Sequence, residues 1–210
     1  MKVDEKILVV PREDIFTHGY IDGFLPLTDF VKYEDTIRDK GQFLWRSAME
    51  ENADYKQIIP YLIFKYNNMY FLMQRRADAS EQRLQGKCTM GIGGHLREED
   101  MAEQSIAAWA QREFHEEINY SDALRITPLG IINDDSDLVG KVHIGFVYLL
   151  EGVSPHISIK SELKNGALMP LSDIATKFDK LESWSKMVLP YLQHLSTVIP
   201  PKSHSHATAR

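Results

Sequence analysis

Short apolar runs recur along the chain, and most of them are rich in β-branched or aromatic residues. Runs of this length and composition predict buried strands. The predicted strands are residues 6–10, 57–65, 69–74, 88–91, 124–132 and 142–150. Asn67-Asn68 separates the second run from the third, and this pair favours a tight turn between two antiparallel strands. The pattern therefore predicts a sheet with a central hairpin.

Helical periodicity lies between and after these runs. Thr28-Asp29 is a plausible cap for a helix that ends near Lys40, before Gly41. Residues 171–178 and 183–195 also have a helical period, and Pro190 predicts a kink in the second of them. Residues 43–49 have mixed periodicity, so a strand and a short helix both remain open. Strands interspersed with helices indicate a mixed α and β fold.

A longer helix is predicted to begin near residues 100–105 and to end at Asn119, and it carries three carboxylates. Glu113, Glu116 and Glu117 are spaced i, i+3 and i+4, which places them on one helix face. An apolar stripe about 90° away suits packing against a sheet. Like charges on adjacent turns repel one another, and a hard divalent cation such as Mg²⁺ or Mn²⁺ would compensate them. A solvated acidic face is the alternative interpretation.

The stretch from residue 91 to residue 120 resembles the Nudix box, the signature of the Nudix hydrolases. Its Gly-rich start, GIGGH, and its sequence REFHEEINY match that signature in the residues Arg112, Glu113, Glu116 and Glu117. The sequence departs from the pattern at three places. The loop after Gly94 is four residues longer, Gln104 replaces the first Glu of the pattern with Glu103 beside it, and Asn119 replaces a Gly.

The resemblance implies a Nudix-type α/β/α sandwich with a mixed sheet over residues 55–196, preceded by an extension, residues 1–54, that packs on it. Residues 197–210 are expected to form a disordered tail. The implied activity is Mg²⁺- or Mn²⁺-dependent hydrolysis of a phosphoanhydride in a nucleoside diphosphate linked to another group. The implied metal ligands are the Gly94 carbonyl and the carboxylates of Glu113, Glu116 and Glu117.

Other roles are also implied only by this resemblance. The general base is left open among Glu116, Glu117 and Glu162, whereas Glu103 and Arg112 are expected to be structural. Arg75, Arg76 and His95 are candidate contacts for substrate phosphate. The two arginines are named for the basic residues that end a matching strand in the family, and His95 for its place in the turn that leads into the glutamate helix.

A narrower resemblance, to the predicted MutT-like phosphoesterases, rests on GIGGH, on residues 57–61 and on residues 133–145. Within the last segment His143 is either a core residue or a functional one. The acidic residues 133–137 lack the remainder of a calcium loop, so a solvated loop is expected there.

Composition is that of a soluble protein and changes the picture little. The 210 residues carry a formal net charge of −6, and no cluster of Lys and Arg predicts a nucleic-acid surface. A charged start, a lone cysteine and the lack of a long apolar run predict a cytoplasmic protein without a membrane span. The expected partner is a small nucleotide-type substrate, and the resemblance makes a homodimer a further expectation.

Three rival functions remain. A non-catalytic Nudix-like ligand sensor or interaction module would have lost box carboxylates, which this chain keeps. An isopentenyl-diphosphate isomerase would need a cysteine at the position of Gly93, and Cys88 lies five residues earlier. An unrelated acidic α/β scaffold is the third.

Overall fold

A computed structural model of the chain describes residues 4–75, 86–100, 106–160 and 163–198. The strands are β1 (Lys6–Pro11), β2 (Gly23–Pro26), β3 (Gln42–Trp45), β4 (Tyr55–Tyr66), β5 (Met69–Arg75), β6 (Cys88–Thr89), β7 (Gly91–Gly93), β8 (Ile118–Asn119), β9 (Leu124–Asn133), β10 (His143–Gly152), β11 (Ser158–Ile159) and β12 (Leu163–Pro170). The helices are α1 (Arg12–Ile15), α2 (Val31–Lys40), α3 (Arg46–Met49), α4 (Ile106–Glu117), α5 (Leu138–Val142), α6 (Leu171–Ala175) and α7 (Ser183–Val198). Short 3₁₀ turns occupy Glu98–Asp100 and Phe178–Lys180.

Ten of the described strands form one mixed sheet. Its main path runs β12-β5-β4-β10-β9-β2, and β1, β3, β6 and β7 join at its sides. The central pair β4 and β10 is parallel, whereas the other pairs are antiparallel. The mixed sheet expected from the sequence is therefore confirmed.

Both faces of the central strands are covered, which explains their long apolar runs. Along β4, Ile58, Leu62 and Phe64 enter one core, and Tyr61 and Ile63 enter a second core on the opposite face. Helices α2 and α4 pack into the first core, and α6 and α7 pack into the second. Helices on both faces of a sheet make the expected α/β/α sandwich.

Most predicted elements are present, with shifted ends. Asn67, with φ +51°, lies in the turn between β4 and β5, as its residue type favours. The segment 43–49, for which the sequence allowed a strand or a short helix, forms the end of strand β3 followed by the short helix α3. Helix α2 ends before Gly41 as predicted. Phe30 occupies its N-cap position, and the predicted capping residue Asp29 accepts a hydrogen bond through Oδ1 from the backbone N–H of Val31, the first helical residue, at 3.4 Å.

The N-terminal residues contribute strands to the main sheet. Strand β1 pairs with β4 through Val9 opposite Gln57, and β2 pairs with β9 through Phe24 opposite Ile132. The backbone N–H of Leu8 also donates to the carbonyl of Leu96 at 2.7 Å. The first fifty residues thus reach the loop that precedes α4.

The acidic segment 133–137 is only partly the solvated loop that its composition predicts, since Ser136 and Asp137 are exposed but the residues before them are not. Asn133 and Asp134 are buried, and Asp135 accepts hydrogen bonds from Lys56 Nζ at 2.7 Å and from the Tyr20 hydroxyl at 2.6 Å. Arg12 also pairs with Asp135. Residues distant in sequence supply these partners, which is why the local composition is misleading.

None of the helices in the described ranges combines the length and the apolar character needed to cross a membrane.

Candidate functional site

The glycine turn after β7 lies directly against helix α4. Strand β7 is fixed by pairing with β4, where Gly93 lies opposite Tyr61. A Cβ atom on Gly94 would come within 2.3 Å of Oε2 of Glu113. The carboxylate therefore occupies the space that a side chain at position 94 would need. The fold brings together the turn and the first carboxylate of the motif.

Glu113 is the buried member of the three carboxylates, with 8% of its surface exposed. Its apolar stripe neighbours, Ala110 and Phe114, are fully buried in the core under α4. Burial raises the pKa of Glu113, and the adjacent Arg112 guanidinium opposes that rise. A buried carboxylate without water needs a cationic partner, which Arg112 supplies.

Arg112 joins two of the carboxylates. Its Nη2 donates to Glu113 Oε1 at 2.8 Å, and its Nη1 donates to Oε1 of Glu116. Arg97, from the lengthened loop, adds a second guanidinium contact to Glu116 Oε1 at 3.3 Å. These ion pairs offset the repulsion between the two glutamates.

The oxygen atoms around Gly94 can be compared with the ligands that a divalent cation prefers. Among the described residues, no group of three or more His, Cys, Asp or Glu side chains converges closely enough to hold a metal ion. Both Arg112 contacts use Oε1 atoms, however, and Oε2 of Glu113 faces Gly94. Hard oxygen donors beside a backbone turn suit Mg²⁺ or Mn²⁺. The donor chemistry fits, with Glu113 and Glu116 already aligned by Arg112.

Two of the other predicted site residues, Glu117 and Arg75, each lie at the end of a helix or strand. Glu117 ends α4, where its carbonyl accepts from the backbone N–H of Lys160 at 2.8 Å. Arg75 ends β5 and lies opposite Leu163 of β12. Arg76, Glu103 and Glu162 lie outside the described residues.

His95 follows the glycine turn and meets two residues from the central strands. Its Nε2 lies 2.7 Å from Gln57 Oε1 and 3.2 Å from His143 Nε2. Gln57 donates its own amide to the carbonyl of Met49 at 2.9 Å, which leaves Oε1 to face His95. His143 Nδ1 lies 2.7 Å from the carbonyl of Val139 and therefore carries the proton. His95 Nε2–H is then the donor to Gln57.

Both histidines are neutral near neutral pH. Burial lowers the pKa of His95 well below its usual value, and the positive charge of nearby Arg46 acts in the same direction, as would a proton on His143. Burial also lowers the pKa of His143. Two imidazoles in contact cannot both hold a positive charge without repulsion. The pair therefore offers hydrogen bonds rather than charge.

A cavity of about 460 Å³ opens beside Gly93, Gly94 and His95. Its volume is within the range of small-molecule sites. Ile59, Val139 and Trp184 supply apolar surface, and Trp184 stands edge-on to Tyr61 with ring centroids 5.4 Å apart. The cavity extends from the glycine turn to the start of α7.

Sequence reasoning missed Gln57 and Trp184 as cavity or site residues. The signal in the sequence that could have marked Gln57 is a glutamine in a largely apolar strand, because a polar side chain buried there needs a hydrogen-bond partner. Trp184 begins a helix far along the chain, and no local pattern relates it to the glycine turn. His143, whose role the sequence left open, lies at the start of β10 and lines the cavity.

Comparisons with known proteins agree with this architecture. Protein YmaB of Bacillus subtilis is 33% identical over an alignment of 213 residues. The alignment spans 91% of this chain and 99% of YmaB. The crystal structure of Tm1382, a candidate Nudix hydrolase, superposes with a TM-score of 0.79 at 28% identity and covers 91% of this chain and all of that chain. No protein-family model matches the sequence.

More distant structures share the fold alone. A Nudix hydrolase from Nitrosomonas europaea has a TM-score of 0.51 at 17% identity, and covers 71% of this chain and 99% of its own. The Nudix domain of Shewanella oneidensis NrtR, solved with ADP ribose, has a TM-score of 0.52 at 15% identity, and covers 69% and 89%. With the glycine turn, the glutamate helix and the sandwich in place, the chain belongs to the Nudix hydrolase superfamily.

Proposed function

We propose that the protein hydrolyses a phosphoanhydride bond in a nucleoside diphosphate linked to another group, with Mg²⁺ or Mn²⁺ as cofactor. The observation that carries this proposal is the contact between Gly94 and the buried carboxylate of Glu113, with Arg112 aligning Glu113 and Glu116. This contact requires the glycine at position 94. It also gives α4 a fixed register against the turn.

Glu113, Glu116, Glu117 and the Gly94 carbonyl would hold the cation. When bound, a divalent cation neutralises the diphosphate and activates the attacking water. Water adds across the P–O–P bond, so that one bridging P–O bond breaks and two phosphate monoesters form. A carboxylate accepts the proton that the water loses, and Glu116, Glu117 and Glu162 are the candidates. Arg112 acts as a positioning residue, because it holds Oε1 of two glutamates.

Arg75, Arg76 and His95 are proposed to contact the substrate. His95 lies directly after Gly94 and lines the cavity, so it is within reach of a group attached to the diphosphate. Arg75 ends β5, and Arg76 follows it in the sequence. Their positive charge suits a phosphate oxygen.

The first test is a hydrolysis screen with the isosteric variants Glu116→Gln and Glu117→Gln. Nucleotide sugars, dinucleotide polyphosphates, NADH, CoA and oxidised dNTPs are the substrates, each with Mg²⁺ or Mn²⁺. Each variant loses one negative charge that would bind the metal, so we expect turnover to fall about 100-fold. Melting temperature without metal serves as the control for folding. Turnover near that of the wild type at saturating metal would remove that residue from the ligand set.

A ligand sensor without catalysis is the second candidate, and one observation favours it. Glu113 and Glu116 are both paired with Arg112, so the positive charge of this arginine offsets their charges without a metal ion.

Metal titration separates the two candidates. Binding to the native state alone raises stability by mass action. A hydrolase should therefore melt at a higher temperature in millimolar Mg²⁺ or Mn²⁺. Its free energy of unfolding should rise by about 2.7 kcal/mol when the metal concentration is one hundred times the dissociation constant. We expect EDTA to reverse the shift. A melting curve that does not respond to either metal would favour the sensor.

A further inference from the structure

Trp184 lies flat on strand β10 at the wall of the cavity beside Gly94. A Cβ atom on Gly145 would come within 2.7 Å of the indole Cζ3, and within 3.0 and 3.1 Å of its neighbours Cη2 and Cε3. Such similar distances to three adjacent ring carbons place that Cβ above the ring plane rather than beside the ring edge. One face of the indole therefore rests on the backbone of Gly145, where a side chain would displace it.

The other face of the ring points away from the sheet. Trp184 is only partly buried, and it lines the cavity together with Gly93, Gly94 and His95. The ring of Tyr61 stands beside the indole at 84° to it. The outer face of Trp184 thus presents a flat aromatic surface to the cavity, on the same wall as the glycine turn.

The start of α7 is fixed to the strands that lead into this turn. Ser185 is fully buried, and its hydroxyl lies 2.8 Å from the Tyr61 hydroxyl and accepts from the backbone N–H of Met90 at 2.9 Å. The backbone N–H of Glu182 donates to the carbonyl of Cys88 at 2.9 Å. The indole is therefore held in place before a ligand binds, which lowers the entropic cost of binding.

The charged residues around the cavity carry both signs. Among the described residues that line it, Arg46 and Lys87 are cationic, and Glu50, Asp134, Asp137 and Glu182 are anionic. Arg46 pairs with Glu50 at 2.9 Å. Because both signs are present, charge does not by itself select the ligand. The fixed aromatic face is the more specific feature.

A nucleobase matches this surface better than a sugar does. Every nucleobase has a planar π face, and stacking on an aromatic side chain buries that face without regard to the identity of the base. A sugar ring is puckered and carries hydroxyl groups around its rim, so it covers less of a flat indole. The substrate class proposed above contains a nucleoside attached directly to the diphosphate.

We propose that the cavity beside Gly94 receives the base of the nucleoside and stacks it on the outer face of Trp184. The inference rests on the proposed function for the choice of a nucleotide as the ligand. Trp184 is then a binding residue, and Gly145 is a positioning residue that keeps the indole out of the space the base occupies.

The test measures binding rather than cleavage. Calorimetry with the full-length protein and Mg²⁺ compares AMP, GMP, CMP and UMP with ribose 5-phosphate, which has the same sugar phosphate but no base. Glucose 1-phosphate represents the competing sugar ligand. We expect at least one nucleoside monophosphate to bind about tenfold or more tightly than ribose 5-phosphate, as base stacking on an aromatic side chain predicts.

Three variants locate the effect. Trp184→Ala should reduce this advantage about fivefold or more, because the stacking surface is lost, whereas Trp184→Phe should keep most of it. Gly145→Ala should also reduce it, because the new Cβ pushes the indole into the cavity. Trp45→Ala is the matched control, since Trp45 is an exposed indole outside this cavity, and it should leave the advantage unchanged. Melting temperatures show whether each variant is folded.

The inference is overturned if none of these compounds binds, or if ribose 5-phosphate binds as tightly as every nucleoside monophosphate. Tighter binding of glucose 1-phosphate would assign the cavity to a sugar instead. An unchanged advantage in Trp184→Ala would also overturn it, and so would an equal loss in Trp184→Phe, because the aromatic face would then not be what binds. An unchanged advantage in Gly145→Ala would remove the positioning role of Gly145.

The hydrolysis screen judges the proposed function separately. Binding that depends on the base, without cleavage of any nucleotide with either metal, would reject the hydrolase and keep this inference. Cleavage by a protein whose binding does not depend on the base would reject this inference alone.

Discussion

Gly94 lies where the carboxylate of Glu113 leaves no room for a side chain. The nearest atoms to a Cβ at this position would be Oε2 and Cδ of Glu113, at 2.3 and 2.5 Å. Glu113 is buried, so its carboxylate cannot move aside into water. At the scale of single residues, this contact fixes the position of the Glu113 carboxylate against the glycine turn. The sequence motif alone does not show that contact.

Gly94→Ala should therefore push Glu113 away from Arg112 and from the turn. We expect a loss of about 1–3 kcal/mol in the free energy of unfolding, as for other overpacked sites, together with a large fall in turnover. Urea unfolding measures the first effect and the hydrolysis assay the second.

A double-mutant cycle with Glu113→Asp tests the cause. Aspartate is shorter by one methylene, so Gly94→Ala should cost less stability in that background than in the wild type. Equal costs in the two backgrounds would mean that the alanine acts through some other contact.

At the scale of elements, the loop between the glycine turn and α4 is tied to strand β1. Leu96 accepts a hydrogen bond from Leu8, Arg97 bridges to Ile7, and Lys6 pairs with Glu98 at 3.0 Å. This loop is four residues longer than the Nudix pattern. The loop places Arg97 beside Glu116. A second guanidinium, in addition to that of Arg112, therefore pairs with this carboxylate of the motif.

Arg97→Ala should tighten the binding of Mg²⁺ or Mn²⁺, because a cation that competes for Glu116 is removed while Arg112 still orients it. Glu116 is half exposed, so solvent weakens the interaction. We expect the dissociation constant to fall about twofold to fivefold, measured by calorimetry. Arg97→Lys keeps the charge and is the control. Weaker metal binding in Arg97→Ala would show that Arg97 orients Glu116 instead.

At the scale of the whole molecule, Asp135 joins the N-terminal residues to the central sheet. It accepts from Arg12 and Tyr20 on one side and from Lys56 on the other. Burial lowers the pKa of Lys56 to about 8, and Asp135 opposes that shift. Arg12, Lys56 and Tyr20 in turn hold the pKa of Asp135 well below its usual value, although burial acts against them.

Asp135→Asn should destabilise the protein by about 3 kcal/mol, because it leaves the fully buried Lys56 without a counterion. Urea unfolding near neutral pH measures the change. Asp39→Asn, at an exposed position paired with Arg38, is the control and should change stability by less than about 0.5 kcal/mol. A loss of stability as small as that of the control would mean that Asp135 and its partners do not hold the N-terminal residues to the central sheet.

The sequence by itself determined the central strands, the helix with its three glutamates and the family. Apolar runs and helical periods depend on burial along one element, so β4, β10 and α4 could be predicted from spacing alone. The glutamate spacing also placed Glu113 and Glu116 within reach of a shared partner.

Only the tertiary structure decided which distant residues meet. Gln57, His95 and His143 come from separate elements, and the parallel pairing of β4 with β10 places Gln57 opposite His143. Asp135 looked like part of a solvated loop because its partners Arg12, Tyr20 and Lys56 lie 79 or more positions away in sequence. The charge and depth of a cavity depend on such long-range contacts, and no local pattern encodes them.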